Sequence, residues 1–598
     1  MKRNLIMAFA WSAALFATTA CMDNYEELPV DQYTDDFLFS KTDSVGDRAL
    51  GFLGTIYDAL ESGHSRIGGY YLDTASDDAL PIDMDGEPDV LKLQLGQYTS
   101  RTRVTSEMKW GDYYSLIRKV NIFINGIDVV PFKATYTNAL GESTYINELG
   151  EEKPLPLNRT LKAEARFIRA WFYFQMLERY GGVPLLGDKV YDINDNLEVP
   201  RNTFSECVDY IVNELDEIQD SLRAIPMDQP GLYAHVPTKQ ACVALKSRVL
   251  LYAASPLFNE RPIEPGNELI GYASYDRDRW KKAADAAREF METWGDKGNS
   301  TFKLATSAGN VFLNFYHQTT NPELIFFRQG GSGTGVESNL GPLGFSGSNI
   351  GSGRTNPTQN LVDAFPMKDG KAIDESGKYV YDPQNPYANR DPRLDMTVLH
   401  NGSKWLGTTL QTWQGGAHNP NSGEDYSTTS YFQRKFMGSF ESLSSYSNVL
   451  HLWVIMRYTE VLLNFAEAEN EALDEPSQEV YDVLFALRKR ARIPAGTDKM
   501  YGLKAGMTKE EMRQVIHNER RIELAFEEHR YFDIRRWREA ENIYKQPLKG
   551  MQIVSNGVSV TYSVVDVLNV AWDNKRYFYP IPYTEVNKND NMVQNPNW

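Results

Sequence analysis

The sequence is poor in cysteine, which limits the folds and sites that it can form. Only three of its 598 residues are cysteines, at positions 21, 207 and 242. So few thiols exclude a disulfide framework and a cysteine-rich metal site. We predict that Cys207 and Cys242 are small, buried apolar side chains. A single disulfide between neighbouring helices is the alternative that the sequence leaves open.

Positive charge is also in short supply. The chain has 62 Lys and Arg residues against 80 Asp and Glu residues, which gives a formal net charge of −18. Such a surface is repelled by phosphate backbones and by anionic lipid headgroups, so we expect no nucleic-acid partner and no electrostatic membrane attachment. After residue 20, no segment has the run of about 20 apolar residues that a membrane-spanning helix requires.

The common signatures of enzymes and metal sites are absent. The eight histidines form no H-E-x-x-H motif, and the chain has no G-x-S-x-G elbow and no P-loop. Asp83, Asp85 and Gly86 resemble part of a calcium loop, but Pro81 and Lys92 stand at its first and last ligand positions. We therefore expect no enzymatic activity and no cofactor, with calcium as a minor alternative. A glycoside hydrolase is a less favoured alternative, because its two carboxylates need carry no sequence signature.

The N-terminus has the features of a lipoprotein export signal. Lys2 and Arg3 precede an apolar segment at 5–16, and small residues at 17–20 are followed directly by Cys21. The apolar segment is too short to span a bilayer, so it predicts a cleaved signal peptide over residues 1–20. A cysteine after small residues resembles a bacterial lipobox. We therefore predict that Cys21 is lipidated and anchors the protein to a membrane.

Outside the middle of the chain, apolar residues recur every three or four positions. This spacing predicts amphipathic helices over residues 48–61, 107–129, 160–179, 203–222, 237–254 and 279–293, and again over 456–472, 477–492, 508–527 and about 531–541. Thr203 and Glu206 have the spacing of an N-terminal capping box. Paired helices of this length predict a mainly α-helical repeat scaffold that resembles tetratricopeptide units.

The middle of the chain differs in composition from the helical parts. Residues 301–450 are rich in Gly, Ser, Asn and Pro, which predicts loops with a few short strands. Near the C-terminus, residues 552–561 predict a β-hairpin with Asn556-Gly557 at its turn. We predict one compact body after the signal peptide. Its parts are a helical region at 21–300, a loop-rich ligand face at 301–450 and a second helical region at 451–598.

A series of motifs occurs in an order and spacing typical of one family. The most characteristic is RTLKAEARFIRAWFYFQMLERYGGVPLL at 159–186. The others are the helix with Trp110, Tyr114 and Asn121, then VPRNTFSECVDYIVNEL (199–215), TKQACVALKSRVLLYAASPLFN (238–259), NPELIF (321–326), NPTQNLVDAFPMKDGK (356–371), RDPRL (390–394), RYTEVLLNFAEAENEA (457–472), NERRIELAFEEHRYFDIRRW (518–537) and YFYPIPYTEVNKNDNMVQNPNW (577–598). Across essentially the whole mature chain, the sequence resembles the SusD/RagB family of nutrient-uptake lipoproteins.

The resemblance implies a fold, a partner and a location. It implies about four tetratricopeptide-like helix pairs with a loop-rich face. It implies a lipid-anchored protein on the outer-membrane surface, placed as a lid over a SusC-like TonB-dependent transporter barrel. Such proteins pass a bound oligosaccharide to the barrel and have no catalytic activity. Some members bind peptides, so a peptide-binding subunit of the same kind of complex is the main alternative.

Ligand contacts are expected from loops, and the shared motifs are expected to be structural. The mixed charges of 518–537 should pair between packed helices. In the loops at 63–105, 330–355 and 401–432, aromatic faces could stack on sugars and polar groups could bind hydroxyls. The residues predicted to bind a glycan are Tyr70, Tyr71, Asp73, Asp78, Phe345, Asn349, Trp405, Trp413 and Tyr431. For the two tryptophans, a buried loop anchor is an equally weighted alternative, and for the tyrosines a structural role is the favoured alternative.

Overall fold

A computed structural model of the chain describes residues 35–132, 144–146, 150–192, 194–229, 231, 233–305, 317, 319–420 and 426–598. The predicted signal peptide and the predicted lipidation site Cys21 lie outside these residues. Helices form most of the regular structure, and the described strands pair only in two-stranded sheets. The predicted mainly α-helical fold is therefore confirmed. No helix within the described residues is long and apolar enough to cross a membrane.

Helices and strands are numbered here in chain order, and 3₁₀ helices carry no number. The helices are α1 Asp35–Leu38, α2 Asp47–Tyr57, α3 Asp89–Leu95, α4 Trp110–Gly126, α5 Leu157–Tyr180, α6 Phe204–Ile218, α7 Lys239–Ala254, α8 Pro256–Asn259, α9 Asp278–Thr293, α10 Gly335–Leu340, α11 Gln359–Ala364, α12 Arg393–Thr397, α13 Tyr458–Ala472, α14 Gln478–Arg490, α15 Lys509–Glu523, α16 Arg530–Arg536, α17 Ala540–Ile543 and α18 Tyr583–Lys588. The strands are β1 Ala79–Pro81, β2 Thr144–Ile146, β3 Glu152–Pro154, β4 Leu324–Arg328, β5 Ser332–Gly333, β6 Thr355–Pro357, β7 Val398–Leu399, β8 Lys404–Trp405, β9 Thr408–Thr409, β10 Phe432–Gln433, β11 Val449–Leu450, β12 Trp453–Arg457, β13 Leu548–Ser555 and β14 Val560–Leu568.

Successive long helices pack against one another, as in a helical repeat. α4 packs on α5, α5 on α6, and α6 on α7. α9 lies against both α7 and α13, and α13 also contacts α14 and α15. Each amphipathic helix thus buries its apolar stripe on a neighbour. The larger apolar core includes side chains from Leu38 to Met592, so it joins the two helical regions.

The predicted helix bounds agree with the structure within a few residues, with one exception. The capping box at Thr203 is present: its hydroxyl accepts a bond from Glu206 N (3.2 Å), and the Glu206 carboxylate accepts one from Thr203 N (2.8 Å). The exception is the helix predicted at 531–541, which is divided into α16 and α17. Arg538 lies between them with a φ of 59°, a left-handed conformation that interrupts a helix.

The predicted C-terminal hairpin is confirmed and is longer than predicted. Strands β13 and β14 pair antiparallel, with Ser555 opposite Val560 beside the turn. Asn556 Oδ1 accepts hydrogen bonds from the backbone N–H groups of residues 558 (2.9 Å) and 559 (2.8 Å). Gly557 has a φ of 85°, which glycine adopts without steric cost. The Asn-Gly pair therefore closes the hairpin through both its side chain and its backbone.

The two cysteines within the described residues are not bonded to each other. Cys207 and Cys242 are both free and buried, so the alternative of a disulfide is excluded. Burial raises the pKa of the Cys207 thiol to about 12. A buried, protonated thiol is a poor nucleophile, and both side chains act as small apolar groups of the core.

A cluster of buried ion pairs joins strand β12, helix α14 and the C-terminal end of helix α15. Glu523 pairs with Arg490 and with Arg457 (3.1 Å), and Glu527 pairs with Arg457 (2.8 Å). Burial alone would raise the pKa of these carboxyls. The guanidinium groups instead hold the pKa of Glu523 well below its usual range and lower that of Glu527 to about 2. The prediction that the charges of 518–537 pair between packed elements is confirmed.

Candidate ligand-binding face

The first of the three predicted ligand loops, residues 63–105, is an ordered and largely buried segment. It contains the 3₁₀ helix Leu72–Ala75, strand β1 and helix α3. The ring of Tyr71 stacks on Phe436 at a centroid distance of 5.5 Å. Tyr70 is 3% exposed and Tyr71 is 0% exposed. A ring without accessible surface cannot stack on a sugar, so both tyrosines are corrected from ligand contacts to core residues.

The aspartates of this segment tie it to the C-terminal helices. Arg521 of α15 pairs with Asp78 (2.6 Å) and with Asp77 (2.9 Å), and Asp73 accepts the backbone N–H of Glu528 (3.1 Å). Burial raises the pKa of Asp73 and Asp78, whereas the paired guanidinium groups hold that of Asp77 well below its usual range despite burial. Asp73 and Asp78 were predicted to bind a glycan. They are buried structural partners instead.

Trp405 and Tyr431 of the third predicted loop also lie in the core, both 0% exposed. Trp405 Nε1 donates a hydrogen bond to the Tyr446 hydroxyl (3.0 Å), and the guanidinium of Arg434 lies 4.9 Å from the indole ring. The Tyr431 hydroxyl donates to Gln359 Oε1 (2.6 Å). For Trp405 the loop-anchor alternative is therefore the correct one, and Tyr431 is corrected in the same way.

Three predicted contacts, Phe345, Asn349 and Trp413, retain accessible surface on adjoining loops. The ring of Phe345 lies 4.9 Å from that of His418, five residues after Trp413 in the neighbouring loop. Asn349 Nδ2 donates to the carbonyl of Ser444 (3.0 Å), and its Oδ1 accepts the N–H of Tyr446 (3.1 Å). We call the surface formed by residues 341–351, 411–419 and 440–446 the loop face. Within it, Asn349 holds two loops together and Phe345 and Trp413 offer aromatic surface.

The loops of the loop face are fixed by backbone contacts. Gly344 has a φ of 85°, and a Cβ atom at this position would lie 1.9 Å from the carbonyl oxygen of Ala417. The two loops therefore meet backbone to backbone, which only glycine permits. The N–H of Gln414 donates to the carbonyl of Ile553 in β13 (3.2 Å), so the hairpin supports the loop that carries Trp413. A preformed surface loses little entropy when a ligand binds.

His418, which is 6% exposed, adds a directed polar group beside Phe345. Its Nδ1 accepts the backbone N–H of Gln411 (3.0 Å), so in the neutral ring the proton is on Nε2. Burial lowers the pKa of His418, which keeps the imidazole neutral at pH 7. An aromatic face next to an N–H donor is suited to a ligand that has both C–H surfaces and hydroxyl groups.

Two exposed apolar side chains of the loop face were not predicted from the sequence, Ile350 (54% exposed) and Leu443 (47% exposed). Tyr426, in the third predicted loop, is 49% exposed and lies next to Ser427, whose N–H donates to Asn419 (2.9 Å). Exposed apolar groups on adjoining loops indicate an interaction site. In the sequence, such a residue is marked only as an isolated apolar position in a stretch rich in Gly, Ser and Asn, which is a weak pattern.

The part of the chain that resembles a calcium loop forms a closed turn. Asp83 Oδ1 accepts the backbone N–H of Gly86 (2.7 Å), and Ile82 N donates to the carbonyl of Arg354 (3.1 Å). Across the described ranges, no group of three or more His, Cys, Asp or Glu side chains is arranged to hold a metal ion. The carboxylate of Asp83 thus stabilises its own turn.

Two family models match the sequence, and together they cover the greater part of the chain. The model described as "SusD family" matches residues 322–598, and the one described as "Starch-binding associating with outer membrane" matches residues 84–251. The chain belongs to the SusD/RagB family.

Among curated proteins, the chain is similar to two SusD-like proteins of Formosa agariphila. SusD-like protein P2 is 32% identical over 143 residues, which are 24% of this chain and 25% of that protein. SusD-like protein P38 is 24% identical over 250 residues, 42% of each chain. The matched stretches therefore span less than half of the length of either curated relative.

Solved structures share the fold over nearly the whole chain. A SusD-like protein of Bacteroides fragilis superposes with a TM-score of 0.71 and 24% identity, covering 95% of this chain and 99% of its own. A SusD-like carbohydrate-binding protein of the same species has a TM-score of 0.65 and 23% identity, covering 92% and 99%. A laminarin-binding SusD-like protein has a TM-score of 0.59 and 18% identity, also covering 92% and 99%. At these identities the likeness shows the fold alone.

Proposed function

We propose that this protein captures a neutral oligosaccharide at the cell surface and delivers it to a SusC-like TonB-dependent transporter. Membership of the SusD/RagB family supports a carbohydrate ligand and association with the outer membrane. A laminarin-binding protein shares the fold, so a neutral glycan is the ligand class that we propose. The observation that carries the proposal is the packing of Phe345 against His418, in the loop that also carries Trp413, where backbone contacts hold both loops.

The chemistry of this site is stacking combined with directed hydrogen bonds. The partly exposed rings of Phe345 and Trp413 offer flat surfaces to the C–H faces of sugar rings. The Nε2–H of His418 can donate to a ring hydroxyl at the edge of such a stack. Each stacking contact contributes about 1 kcal/mol, so binding at this face alone is of modest strength. Enclosure of the ligand between this protein and the barrel would supply further affinity.

The anchor and the partner belong to the same proposal. Lipidation at Cys21 would hold the protein on the outer surface of the membrane, next to the transporter. Closure over the barrel would trap the glycan without breaking any bond, so the protein acts as a binding subunit and not as an enzyme. We expect this chain to purify in a complex with the full-length transporter.

A glycan screen tests the proposal. The full mature chain with Cys21→Ala is screened against neutral, uronate-containing and sulfated polysaccharides, and binding is then measured by calorimetry. Saturable binding of one neutral class, with no release of shorter sugars, is the expected result. Binding of peptide pools without any glycan would replace the proposed ligand by a peptide. Release of products from a labelled oligosaccharide would identify a glycoside hydrolase.

A further inference from the structure

A cavity built from other parts of the chain than the loop face has a lining suited to a sugar. Its volume is about 470 Å³, within the range of small-molecule sites. Its lining includes the rings of Tyr233, His235 and Phe327 and the side chains of Gln229, Thr320 and Gln329. We call it the Tyr233 cavity. It lies between the segment that joins α6 to α7 and the segment around β4.

The floor and walls of the Tyr233 cavity are fixed by backbone contacts. Phe327 in β4 is 1% exposed, and its N–H donates to the carbonyl of Ala234 (2.8 Å). Gly231 has a φ of 85°, and a Cβ atom there would lie 2.0 Å from the carbonyl oxygen of Thr319. The two segments therefore touch backbone to backbone, and the cavity has its shape before any ligand arrives.

Tyr233 has an unfavourable backbone conformation, and its ring lies near a buried ion pair. Its φ of 65° lies in the left-handed region, which a bulky residue rarely adopts. The guanidinium of Arg223 lies 5.2 Å from the Tyr233 ring and pairs with the buried carboxylate of Glu164 (2.6 Å). Strained residues persist where the surrounding structure over-determines them, and they gather at ligand sites. Here the strain places a half-buried aromatic ring at the cavity wall.

The polar groups of the cavity match a neutral polyol better than an ion. Amides and hydroxyls, such as those of Gln229, Gln329 and Thr320, can both donate and accept hydrogen bonds, as sugar hydroxyls do. Burial and the nearby Arg223 lower the pKa of His235, so its ring is neutral at pH 7 and has the same dual capacity. The charge of Arg223 is balanced by Glu164. The carboxylate of Asp228, which also lines the cavity, opposes an anionic ligand.

We infer that the Tyr233 cavity is a second saccharide site, which takes the end of a neutral oligosaccharide between the rings of Tyr233 and His235. The inference takes the class of ligand, a neutral glycan, from the proposed function. It does not depend on the loop face being a binding site. Two sites on one chain would increase the avidity for a long polysaccharide without any new contact at the loop face.

Stoichiometry tests this inference. The mature chain with Cys21→Ala is titrated calorimetrically with the tetrasaccharides of laminarin, amylose, xylan and mannan. The wild type is expected to bind two molecules of one tetrasaccharide per chain. The double variant His235→Ala/Gln329→Ala is expected to bind one molecule as the wild type does and the second roughly tenfold or more weakly, because the cavity loses two hydrogen-bonding groups. Gln97→Ala, a matched change of an exposed glutamine outside the cavity, is expected to leave two sites.

The outcomes separate this inference from the proposed function. One site per chain that is lost in Phe345→Ala/Trp413→Ala and unchanged in the cavity variant overturns the second site alone. Binding that is lost in the cavity variant and unchanged in the loop-face variant supports the cavity and overturns the loop face. If none of the four tetrasaccharides binds, both the second site and the proposed function are overturned, because both name a neutral glycan as the ligand.

Discussion

Replacing Glu467 by glutamine tests the buried ion pairs that hold the C-terminal helices together. Glu467 in α13 accepts two hydrogen bonds from the guanidinium of Arg536, at 2.5 and 2.7 Å. It accepts a third from Trp537 Nε1, at 2.8 Å. In the Glu467→Gln variant one of these acceptors becomes a donor that faces another donor, and the buried Arg536 loses a carboxylate partner.

The expected loss follows from the pKa of this carboxyl. Burial raises it, but Arg536 outweighs burial and lowers the pKa of Glu467 from 4.5 to about 2. Each tenfold change in ionisation corresponds to ~1.4 kcal/mol, so the carboxylate stabilises the fold by about 3 kcal/mol at pH 7. Breaking a buried ion pair costs a similar 3–5 kcal/mol or so. Because the folded pKa is the lower one, this stability is complete above pH 4.5 and is lost as the pH falls towards 2. About 1.4 kcal/mol of it remains at pH 3.

Urea unfolding at pH 7 and at pH 3 measures this loss. The Glu467→Gln variant is expected to lose about 3 kcal/mol of unfolding free energy at pH 7 and about half of that at pH 3. Glu475→Gln, a matched change at an exposed position near the end of the same helix, should cost less than about 0.5 kcal/mol. A loss below about 1 kcal/mol at pH 7, or an equal loss at both pH values, would refute the reasoning.

Three further changes test other parts of the structure, each by chemical denaturation. Trp405→Ala should cost about 3–5 kcal/mol because the ring is fully buried, and Trp413→Ala clearly less; equal losses would contradict their different burial. Arg521→Met should cost about 3–5 kcal/mol at pH 7, since Asp78 loses a buried partner, and a near-neutral effect would contradict that role. Gly231→Ala should cost about 1–3 kcal/mol through its positive φ and the approach to the opposite backbone, and wild-type stability would contradict that contact.

The fold could be predicted from the sequence because its signals are local. The apolar spacing that predicts a helix at 160–179 depends only on residues of that segment, and the structure has helix α5 at Leu157–Tyr180. The Asn556-Gly557 turn sets the hairpin in the same way, because the side chain and the glycine act on adjacent backbone groups. The capping box of Thr203 and Glu206 likewise depends on residues three positions apart.

The site was only partly predictable, because burial depends on partners that are distant in sequence. Trp405 and Trp413 lie in similar polar loops, but Trp405 meets the hydroxyl of Tyr446, 41 residues away. From the sequence, Asp78 is predicted to be an exposed loop aspartate. In the structure it pairs with Arg521, which is 443 residues away. The spacing of apolar and polar residues along the sequence does not predict contacts between such distant residues. The Tyr233 cavity is likewise formed by two segments whose contact, Gly231 against Thr319, is visible only in the fold.

The most direct test of the central claim is the affinity of the loop face for the neutral glycan that the screen identifies. Calorimetry would compare the mature chain with Phe345→Ala, with Trp413→Ala, and with Tyr275→Ala as a matched exposed aromatic outside the loop face. At about 1 kcal/mol per stacking ring, each loop-face variant should bind roughly fivefold more weakly, and Tyr275→Ala should bind as the wild type does. Unchanged affinity in both loop-face variants would contradict the account.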